Sequence, residues 1–355
     1  MQDLQESAAL ARALDIAADP TVPLGPNPRV GCVLLDAGGR ILAEGLHRGA
    51  GTPHAEADAL ARAARTGRDV TGATAVVTLE PCTHTGRTGP CTQALIAAGI
   101  ARVVIARRDP NPVAAGGAAR LRDAGIDVGL DVPPDLAGRA AELNRAWEHG
   151  LRAGRPLVTA KVAATLDGRA AAADGSSRWI TGPAARAEVH RLREEADVVI
   201  VGTGTALVDS PSLTARDQDG RLAARQPVRA VMGLRPVPPL PEIRGAGPAR
   251  VLATRDPRAA LAELFDHGLR HVLLEGGPTL LAAFLREGLV DELILHLAPK
   301  LLGAGPATVA DLGITGIDEA LELELEGVAM LRSPGGQSDA QLRFRPLPGA
   351  GSPPR

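Results

Sequence analysis

The sequence predicts an α/β protein made of two consecutive domains. Its 355 residues exceed what one hydrophobic core usually holds, so two cores are expected. Helix-like and strand-like segments alternate along both halves of the chain, as they do in α/β folds. The sequence RAGRP at 152–156 interrupts this alternation, and we place the domain boundary at roughly 146–156. We therefore expect a first domain over 1–147, a second over 155–346 and a disordered tail over 347–355.

The composition is that of a globular protein with an unusual shortage of aromatic residues. Hydrophobic residues make up 45% and charged residues 23%, but aromatic residues reach only 1%, so Ala, Val and Leu must fill the cores. A net charge of −2 and a pI near 6.5 give no overall positive field for a polyanion, which argues against a nucleic-acid partner. Neither a signal peptide nor an apolar run of membrane length is visible, so we expect a cytoplasmic protein without a membrane partner.

In the first domain, helices and strands follow from hydrophobic spacing and from turn residues. Ala37-Gly38-Gly39 separates two strand-like runs and predicts a hairpin, while Pro20 ends the first helical pattern. The predicted helices are 5–19, 54–66, 91–98, 117–124 and 135–151. The predicted strands are 30–36, 40–46, 73–79, 102–106 and 126–130. Their order is the alternating pattern of an α/β domain.

The second domain repeats this alternation with more strands. The predicted strands are 157–164, 197–201, 228–232, 250–253, 271–275 and 291–297, with strand-like pieces near 320–331 and 340–345. The predicted helices are 183–195, 258–267 and 278–287, and a proline-rich surface loop covers 235–248. Two glycine-rich turns, at 202–205 (GTGT) and 276–279 (GGPT), follow strands and could present backbone N–H groups to a phosphate. Each turn by itself is more often a tight connection, and neither is a G-x-G-x-x-G Rossmann motif.

Three potential metal ligands lie in the first domain: His54, Cys82 and Cys91. The only other cysteine is Cys32, so a disulfide framework is not expected. A zinc ion that does chemistry is commonly held by three protein ligands, and its fourth position is left to water. Glu56 lies two residues after His54 at the start of a predicted helix, so both side chains can face one cavity. We expect a catalytic zinc site in which Glu56 is the proton carrier.

This arrangement is typical of deaminases that act on nitrogen heterocycles. Zinc lowers the pKa of a bound water so that it can attack the carbon bearing the amino group, and a carboxylate carries the proton to the ring and to departing ammonia. The nucleobase deaminase signature is H-x-E followed by P-C-x-x-C. HAE at 54–56 and PC at 81–82 match it, but Cys91 follows Cys82 by nine positions instead of three. Two alternatives are a structural zinc site with His84 as fourth ligand, and no metal at all, with both cysteines in the core.

The longer cysteine spacing and several flanking motifs resemble one deaminase family. The motifs are NPRVG at 27–31, HAE at 54–56, TLEPCTHTGRTGPC at 78–91 and DPNP at 109–112. Together they resemble the deaminase domain of the bifunctional riboflavin-biosynthesis deaminase–reductases. The resemblance implies a cytidine-deaminase-like α/β/α sandwich and, as substrate, 2,5-diamino-6-(5-phosphoribosylamino)pyrimidin-4(3H)-one, which loses its ring 2-amino group. It also implies a substrate pocket of polar loop residues, namely Asn27, His47, His84, Arg87, Asp109 and Asn111.

The resemblance continues through the second domain. The motifs that carry it include KVAATLDG at 161–168, WIT at 179–181, GTGT at 202–205, EGGPT at 275–279 and APKLLG at 298–303. They resemble the family's reductase domain, which is similar to dihydrofolate reductase and uses NADPH to turn the ribosyl group into a ribityl chain. By resemblance, the NADPH contacts are Ala163, Trp179, Thr205, Asp209, Gly277, Pro278, Thr279, Leu280, Leu281, Ala282 and Ala283. The contacts of the phosphorylated sugar are Lys161, Ser177, Arg193, Leu213, Arg216 and Glu275.

The charged residues of the second domain suggest specific roles. Lysine occurs at only two positions in the chain. This scarcity has two interpretations: the compact amine of Lys161 has a chemical use, or the sequence has drifted towards arginine. Arg193 and Arg216 suit a phosphate, because a planar guanidinium matches phosphate oxygens, although Arg193 could also lie on a solvated helix face. The candidate proton donors are Lys161, Asp209 and Glu275.

Two segments of the second domain depart from the family pattern. Ser210 stands where Asn is common, and Gly233-Leu234 stands where Asp-Ser or Asp-Thr is common, which could weaken a cofactor contact. The alternatives to a zinc deaminase fused to an NADPH reductase are a deaminase with an inactive or oligomerising second domain and a nucleic-acid-editing deaminase. The latter is disfavoured by the net charge and by the few aromatic residues available for base stacking. We expect a small phosphorylated pyrimidine as the partner and a homo-oligomer, either a dimer or a tetramer.

Overall fold

The computed structural model describes residues 2–84, 89–241, 244–333, 335–336 and 338–347. The chain divides into two compact units, Met1–Arg152 and Ala153–Arg355, each with its own hydrophobic core. The predicted tail lies outside the described residues from residue 348 onwards. No helix in the described ranges is long and apolar enough to span a bilayer.

The first unit is a five-stranded sheet covered by helices on both faces. Its strands are β1 (Gly31–Leu35), β2 (Ile41–Leu46), β3 (Thr74–Val77), β4 (Arg102–Ile105) and β5 (Asp127–Gly129). Its helices are α1 (Gln2–Ala17), α2 (Ala55–Arg65), α3 (Cys91–Ala97), α4 (Gly117–Asp123), α5 (Pro134–Leu143) and α6 (Arg145–Ala153). The strand order is β2-β1-β3-β4-β5, in which β1 is antiparallel to both neighbours and β3, β4 and β5 are parallel. This arrangement is the predicted α/β/α sandwich.

Two clusters of buried side chains fill the layers on either side of this sheet. Successive residues of β1 point to opposite faces, so Cys32 packs with α2, α3 and α4, whereas Val33 packs with α1 and α5. A missing side chain lets α2 approach closely, because a Cβ built on Gly45 of β2 would lie 2.0 Å from the carbonyl oxygen of Ala55. The absence of a side chain at Gly45 therefore allows the first turn of α2, which carries Glu56, to pack directly against the sheet.

The single helix predicted over 135–151 is wrong, because the chain forms two helices there, α5 and α6, separated at Asn144. The side chain of Asn144 is buried and bonds the backbone of Arg29. This long-range contact interrupts a helical pattern that continues in the sequence on both sides.

The second unit is built on an eight-stranded sheet with helices on both faces. Its strands are β6 (Leu157–Thr165), β7 (Val198–Gly202), β8 (Val228–Met232), β9 (Ala249–Leu252), β10 (His271–Leu274), β11 (Glu292–Ala298), β12 (Leu323–Arg332) and β13 (Ser338–Pro346). Its helices are α7 (Pro183–Glu195), α8 (Thr203–Asp209), α9 (Pro257–Asp266) and α10 (Pro278–Arg286), with a 3-10 turn at Ile317–Glu319. The order is β12-β13-β11-β6-β10-β7-β8-β9, and all pairs from β11 to β9 are parallel. Strand β13 is antiparallel to β11 and β12.

The glycine-rich segment at 202–205 is not a simple turn. Gly202 ends β7 and Thr203 begins helix α8, which the sequence does not predict. Seven residues that open with T-G-T give little helical signal of their own, and short helices depend on tertiary packing. The other predicted elements of this unit are present with small differences at their ends.

Candidate active sites

His54, Cys82 and Cys91 converge on one point of the first unit. The nitrogen and the two sulfur atoms that they offer all lie within 4.8 Å of one another. His54 Nδ1 is 3.2 Å from Cys91 Sγ and 3.6 Å from Cys82 Sγ. One imidazole nitrogen and two thiol sulfurs form a donor set that suits Zn²⁺ and keeps a fourth tetrahedral position for another ligand. The residues present therefore fit a catalytic zinc ion.

The local fold explains why these three side chains meet. His54 immediately precedes α2, Cys91 is the first residue of α3, and Cys82 lies in the loop after β3. The backbone N–H of Cys91 donates a hydrogen bond to Cys82 Sγ at 3.4 Å. Among the described residues, His84 does not join this cluster, so the geometry does not favour a structural site with His84 as fourth ligand.

The two thiols of this cluster differ in acidity because they share a proton. Hydrogen bonding by the Cys91 thiol lowers the pKa of Cys82 to about 4, helped by His54 and opposed by burial. The same hydrogen bond, together with burial, raises the pKa of Cys91. Cys82 is therefore the more acidic of the two thiols, and the thiolate is the form in which cysteine binds metals.

Glu56 lies in the first turn of α2, beside this cluster, with only 3% of its surface exposed. Burial raises the pKa of its carboxyl group, whereas the neighbouring His54 acts in the opposite direction. A raised pKa makes a carboxyl group better suited to accept a proton and release it again in one catalytic cycle.

Asn27 and His47 form a hydrogen-bonded pair next to the predicted metal ligands. Asn27 Nδ2 lies 3.0 Å from His47 Nε2, and His47 Nδ1 lies 3.0 Å from the carbonyl oxygen of Pro53. The ring therefore donates from Nδ1 and accepts at Nε2, which is a neutral tautomer. The rings of His47 and His54 pack edge to face, with centroids 5.1 Å apart. The structure thus brings both predicted pocket residues to the metal ligands.

Asp109 and Asn111 lie in the loop after β4, which a buried glutamate holds in place. Glu80 accepts hydrogen bonds from the backbone N–H groups of Asp109 at 3.0 Å and Ala118 at 2.8 Å. The N–H of Asn111 donates to Asp109 Oδ1 at 2.8 Å, while burial raises the pKa of Asp109. Glu80 is not among the residues predicted from the sequence, although its position directly before the PC motif at 81–82 is a signal for a role in the site.

The two remaining pocket residues predicted in the first unit have different outcomes. His84 Nδ1 is buried and has no hydrogen-bond partner among the residues that the structure describes. The charges of His84 and Cys82 both influence the pKa of Asp109, so these three side chains share one electrostatic environment. Arg87 lies outside the described residues.

The second unit contains a cavity of 1220 Å³ at the carboxyl ends of its parallel strands. Ligands of open α/β sheets usually bind at this edge. All six residues predicted to contact the phosphorylated sugar line the cavity, and so do ten of the eleven predicted NADPH contacts. The exception is Ala282, which is fully buried in the core side of α10 and does not line the cavity.

A largely buried ion pair between Arg193 and Glu275 lines this cavity. Arg193 donates to both carboxylate oxygens of Glu275, at 2.5 and 2.8 Å, and to the carbonyl oxygen of Thr214 at 3.0 Å. Burial would raise the pKa of Glu275, but Arg193 and then Lys161 hold it below its ordinary value. Burial lowers the pKa of Lys161. Arg193 therefore holds a buried carboxylate instead of presenting a free guanidinium to a phosphate.

Other predicted cofactor contacts line the same cavity with distinct partners. Trp179 is 63% exposed, and the guanidinium carbon of Arg186 lies 4.5 Å from the centre of its ring. Lys300 Nζ donates to the carbonyl oxygen of Trp179 at 2.7 Å. The N–H of Gly277 donates to Thr205 Oγ1 at 3.1 Å, which joins the turn after β10 to helix α8. The wall thus offers an exposed aromatic face and a polar turn to a ligand.

Comparisons with known proteins match both units of the chain. Residues 4–107 match the cytidine and deoxycytidylate deaminase zinc-binding region, and residues 156–333 match the RibD C-terminal domain. The riboflavin biosynthesis protein RibD of Mycobacterium tuberculosis is 46% identical over 304 residues, which cover 85% of this chain and 88% of that protein. The chain belongs to the RibD family. The Escherichia coli RibD is 40% identical over 335 residues, covering 85% of this chain and 89% of its own length.

A solved structure extends the similarity to the whole RibD fold. A Thermotoga maritima protein described as a diaminohydroxyphosphoribosylaminopyrimidine deaminase/5-amino-6-(5-phosphoribosylamino)uracil reductase is 32% identical, with a TM-score of 0.81. The match covers 98% of this chain and all of that one. Family membership confirms the predicted fold class and the interpretation as a bifunctional riboflavin-pathway enzyme with a zinc deaminase domain and an NADPH reductase domain. An inactive second domain and a nucleic-acid-editing deaminase are not supported.

Proposed function

We propose that the first unit removes the ring 2-amino group of 2,5-diamino-6-(5-phosphoribosylamino)pyrimidin-4(3H)-one, and that the second unit then reduces the ribosyl group to a ribityl chain. The observation that carries the first step is the convergence of His54, Cys82 and Cys91 within 4.8 Å, beside the buried Glu56. A deaminase needs a metal site and a proton carrier at one place, and this is the combination that the three ligands and Glu56 provide.

In the deaminase site, His54, Cys82 and Cys91 hold the zinc ion, and Glu56 moves the proton. When bound, zinc supplies a Lewis acid that activates water. Glu56 takes one proton of the attacking water and gives it to a ring nitrogen, where it stays. It takes the second proton from the hydroxyl group added to the ring carbon and gives it to the amino group, which leaves as ammonia while the ring carbonyl forms. The raised pKa of Glu56 supports this shuttle, because the carboxyl group must both bind and release the proton.

The polar residues around the metal ligands bind and orient the pyrimidine and its sugar phosphate. Asn27 and His47 act as one hydrogen-bonded unit, and Asp109 and Asn111 are fixed by the loop after β4. His84 Nδ1 is buried and has no hydrogen-bond partner in the described part of the chain. Because a buried ring nitrogen without a hydrogen bond costs free energy, a bound substrate that supplies this bond would be favoured. We assign Arg87 to the same pocket from the family motif alone.

In the reductase site, NADPH supplies a hydride for C1 of the ribose. Lys161 is the proton donor that we favour for ring opening, because its amine lines the cavity and burial lowers its pKa. The charge of Glu275 opposes the effect of burial on the pKa of this amine, and Arg193 fixes the Glu275 carboxylate. Arg216 also lines the cavity and is the arginine that we assign to the phosphate of the sugar.

The proposed function has a direct test in one reaction mixture. Purified protein is incubated with the diaminopyrimidine phosphate and NADPH, and ammonia release and NADPH oxidation are followed together. Both signals are expected, with ammonia preceding NADPH oxidation. Ammonia without NADPH oxidation would contradict the reductase assignment, and neither signal would contradict both assignments.

We also propose that the enzyme is a cytoplasmic homo-oligomer, either a dimer or a tetramer. The family resemblance supports this proposal. Light scattering coupled to size-exclusion chromatography should give a mass of two or four chains. A mass of one chain across the working concentration range would contradict it.

A further inference from the structure

Two arginines, Arg235 and Arg255, lie at one end of the reductase cavity. They line it together with Thr203 and Thr254, and all four residues follow the carboxyl ends of the adjacent parallel strands β7, β8 and β9. The N–H of Gly233 donates to the carbonyl oxygen of Leu252 at 3.1 Å, which ties the end of β8 to β9. We refer to Arg235 and Arg255 as the strand-end arginines.

The strand-end arginines differ from the other arginines of the cavity in their partners. Arg193 bonds the carboxylate of Glu275. The remaining four bond backbone carbonyl oxygens: Arg178 that of Asp209, Arg186 that of Thr181, Arg216 that of Gly220 and Arg286 that of Asp311. Within the described residues, Arg235 bonds only the hydroxyl of Thr203, at 3.2 Å, and Arg255 has no hydrogen bond or ion pair. Two guanidinium groups in a cavity wall that bond neither a carboxylate nor a carbonyl oxygen leave their N–H donors to an anionic ligand.

The charge of the cavity wall favours a ligand with several negative charges. Eight lysine and arginine side chains line it, against only two carboxylates, those of Asp209 and Glu275. NADPH differs from NADH by a 2′-phosphate on its adenosine, and a phosphate monoester carries close to two negative charges at neutral pH. We propose that the strand-end arginines bind this 2′-phosphate and so make the second unit prefer NADPH to NADH. This proposal rests on the proposed use of NADPH by the second unit.

The strand order separates the strand-end arginines from the NADPH contacts predicted at 277–283. The contacts predicted at 277–283 lie at the start of α10, after β10, whereas the strand-end arginines follow β8 and β9 on the far side of β7. Because neighbouring strands lie about 4.8 Å apart, β9 is roughly 14 Å from β10. Leu234 lines the cavity beside Arg235 and is 59% exposed, so it offers an apolar surface to an adenine ring. This end of the cavity therefore suits the adenosine 2′-phosphate, and the α10 end suits the pyrophosphate.

Direct binding to the full chain tests this proposal without measuring activity. Isothermal titration calorimetry compares NADPH with NADH for the wild type, Arg235→Ala and Arg255→Ala. Each substitution removes charge-assisted hydrogen bonds, so it should weaken NADPH binding about tenfold and change NADH binding less than about twofold. Arg235→Lys keeps the charge without the planar fork and should lose less affinity. The matched control is Arg258→Ala, which removes an exposed arginine that pairs with Glu287 outside the cavity and should bind both dinucleotides like the wild type.

The fragments 2′-AMP and 5′-AMP identify which phosphate is recognised. Binding of 2′-AMP should weaken in both alanine variants, whereas binding of 5′-AMP should not. Loss of 5′-AMP binding alone would assign the strand-end arginines to the pyrophosphate and overturn the proposal. Equal losses for NADPH and NADH, or no loss for either, would also overturn it while leaving NADPH use intact. A wild-type chain that bound neither dinucleotide would overturn NADPH use itself, and the proposal with it.

Discussion

The side-chain amide of Asn144 bonds both backbone groups of Arg29, a residue 115 positions earlier in the chain. Asn144 Oδ1 accepts from the N–H of Arg29 at 2.8 Å, and its Nδ2 donates to the carbonyl oxygen of Arg29 at 2.9 Å. Asn144 thus fastens the loop that carries Asn27 to the junction of α5 and α6. The position of a predicted substrate residue therefore depends on a side chain outside the deaminase motifs.

Replacing Asn144 with Ala should destabilise the first unit and weaken deaminase substrate binding. Two buried backbone groups would lose their partner, which costs about 3 kcal/mol in the free energy of unfolding. Urea unfolding measures this change, and the deaminase KM should rise while reductase kinetics with supplied deaminated substrate stay unchanged. Asn144→Asp keeps the acceptor for the Arg29 N–H and should lose less than Asn144→Ala. Equal losses in the two variants would contradict this account.

Glu56→Gln should separate metal binding from proton transfer. The amide has nearly the shape of the carboxyl group but cannot carry the proton, so ammonia release should fall at least about a hundredfold. Metal analysis should still find one zinc ion per chain, because His54, Cys82 and Cys91 are unchanged. Reduction of supplied deaminated substrate should continue at the wild-type rate. Loss of both activities in a well-folded variant would contradict two separate sites.

Cys82→Ser should remove the zinc ion itself, whereas Glu56→Gln should keep it. Serine is a much poorer zinc ligand than a thiolate, so both zinc content and ammonia release should fall. Reductase activity should again be unchanged, since the reductase cavity lies in the second unit. Full zinc occupancy in Cys82→Ser would contradict the assignment of Cys82 as a ligand.

Arg193→Ala should destabilise the second unit because it leaves the Glu275 carboxylate buried without its partner. Removing one member of a buried ion pair costs about 3 kcal/mol or more in the free energy of unfolding. The double variant Arg193→Leu with Glu275→Leu removes both charges and should recover much of that loss. Reductase activity should remain low in the double variant, since Glu275 lines the cavity and its charge acts on Lys161. A double variant as unstable as the single one would show that the charges are not coupled.

The sequence was informative where chemistry lies in short motifs. The HAE motif at 54–56, the PC motif at 81–82 and Cys91 could be found without a structure, because their residue types and spacing are unusual outside metal sites. Most helices and strands could also be predicted, since each has its own hydrophobic period. Both kinds of prediction depend on information that is local in the sequence.

The features that escaped prediction depend on contacts between distant residues. Asn144 lies in a segment with helical spacing on both sides, and only its bonds to Arg29 explain the break. Arg193 and Glu275 are 82 positions apart, and the sequence suggests a substrate contact for each without showing that they pair. Helix α8 is too short to have a periodic pattern of its own. In each case the tertiary fold, and no local signal, decides the outcome.

His296 in β11 should lower the free energy of unfolding as the pH falls. This side chain is fully buried, its Nε2 lies 3.1 Å from Gln341 Nε2, and its Nδ1 has no hydrogen-bond partner among the described residues. Burial, followed by the charge of Lys161, lowers its pKa from 6.5 to about 4, with Arg343 acting in the same direction and Glu188 and Glu275 opposing it.

Between pH 6.5 and about 4 the unfolded chain therefore binds a proton at His296 that the folded chain does not. The free energy of unfolding should fall across this window as the pH falls, with His296 contributing up to about 1.4 kcal/mol per pH unit. Urea unfolding at several pH values measures the slope, which should be shallower in His296→Leu than in the wild type. His267→Leu removes an exposed histidine at the end of α9 and should keep the wild-type slope. An unchanged slope in His296→Leu would show that another group takes up the proton.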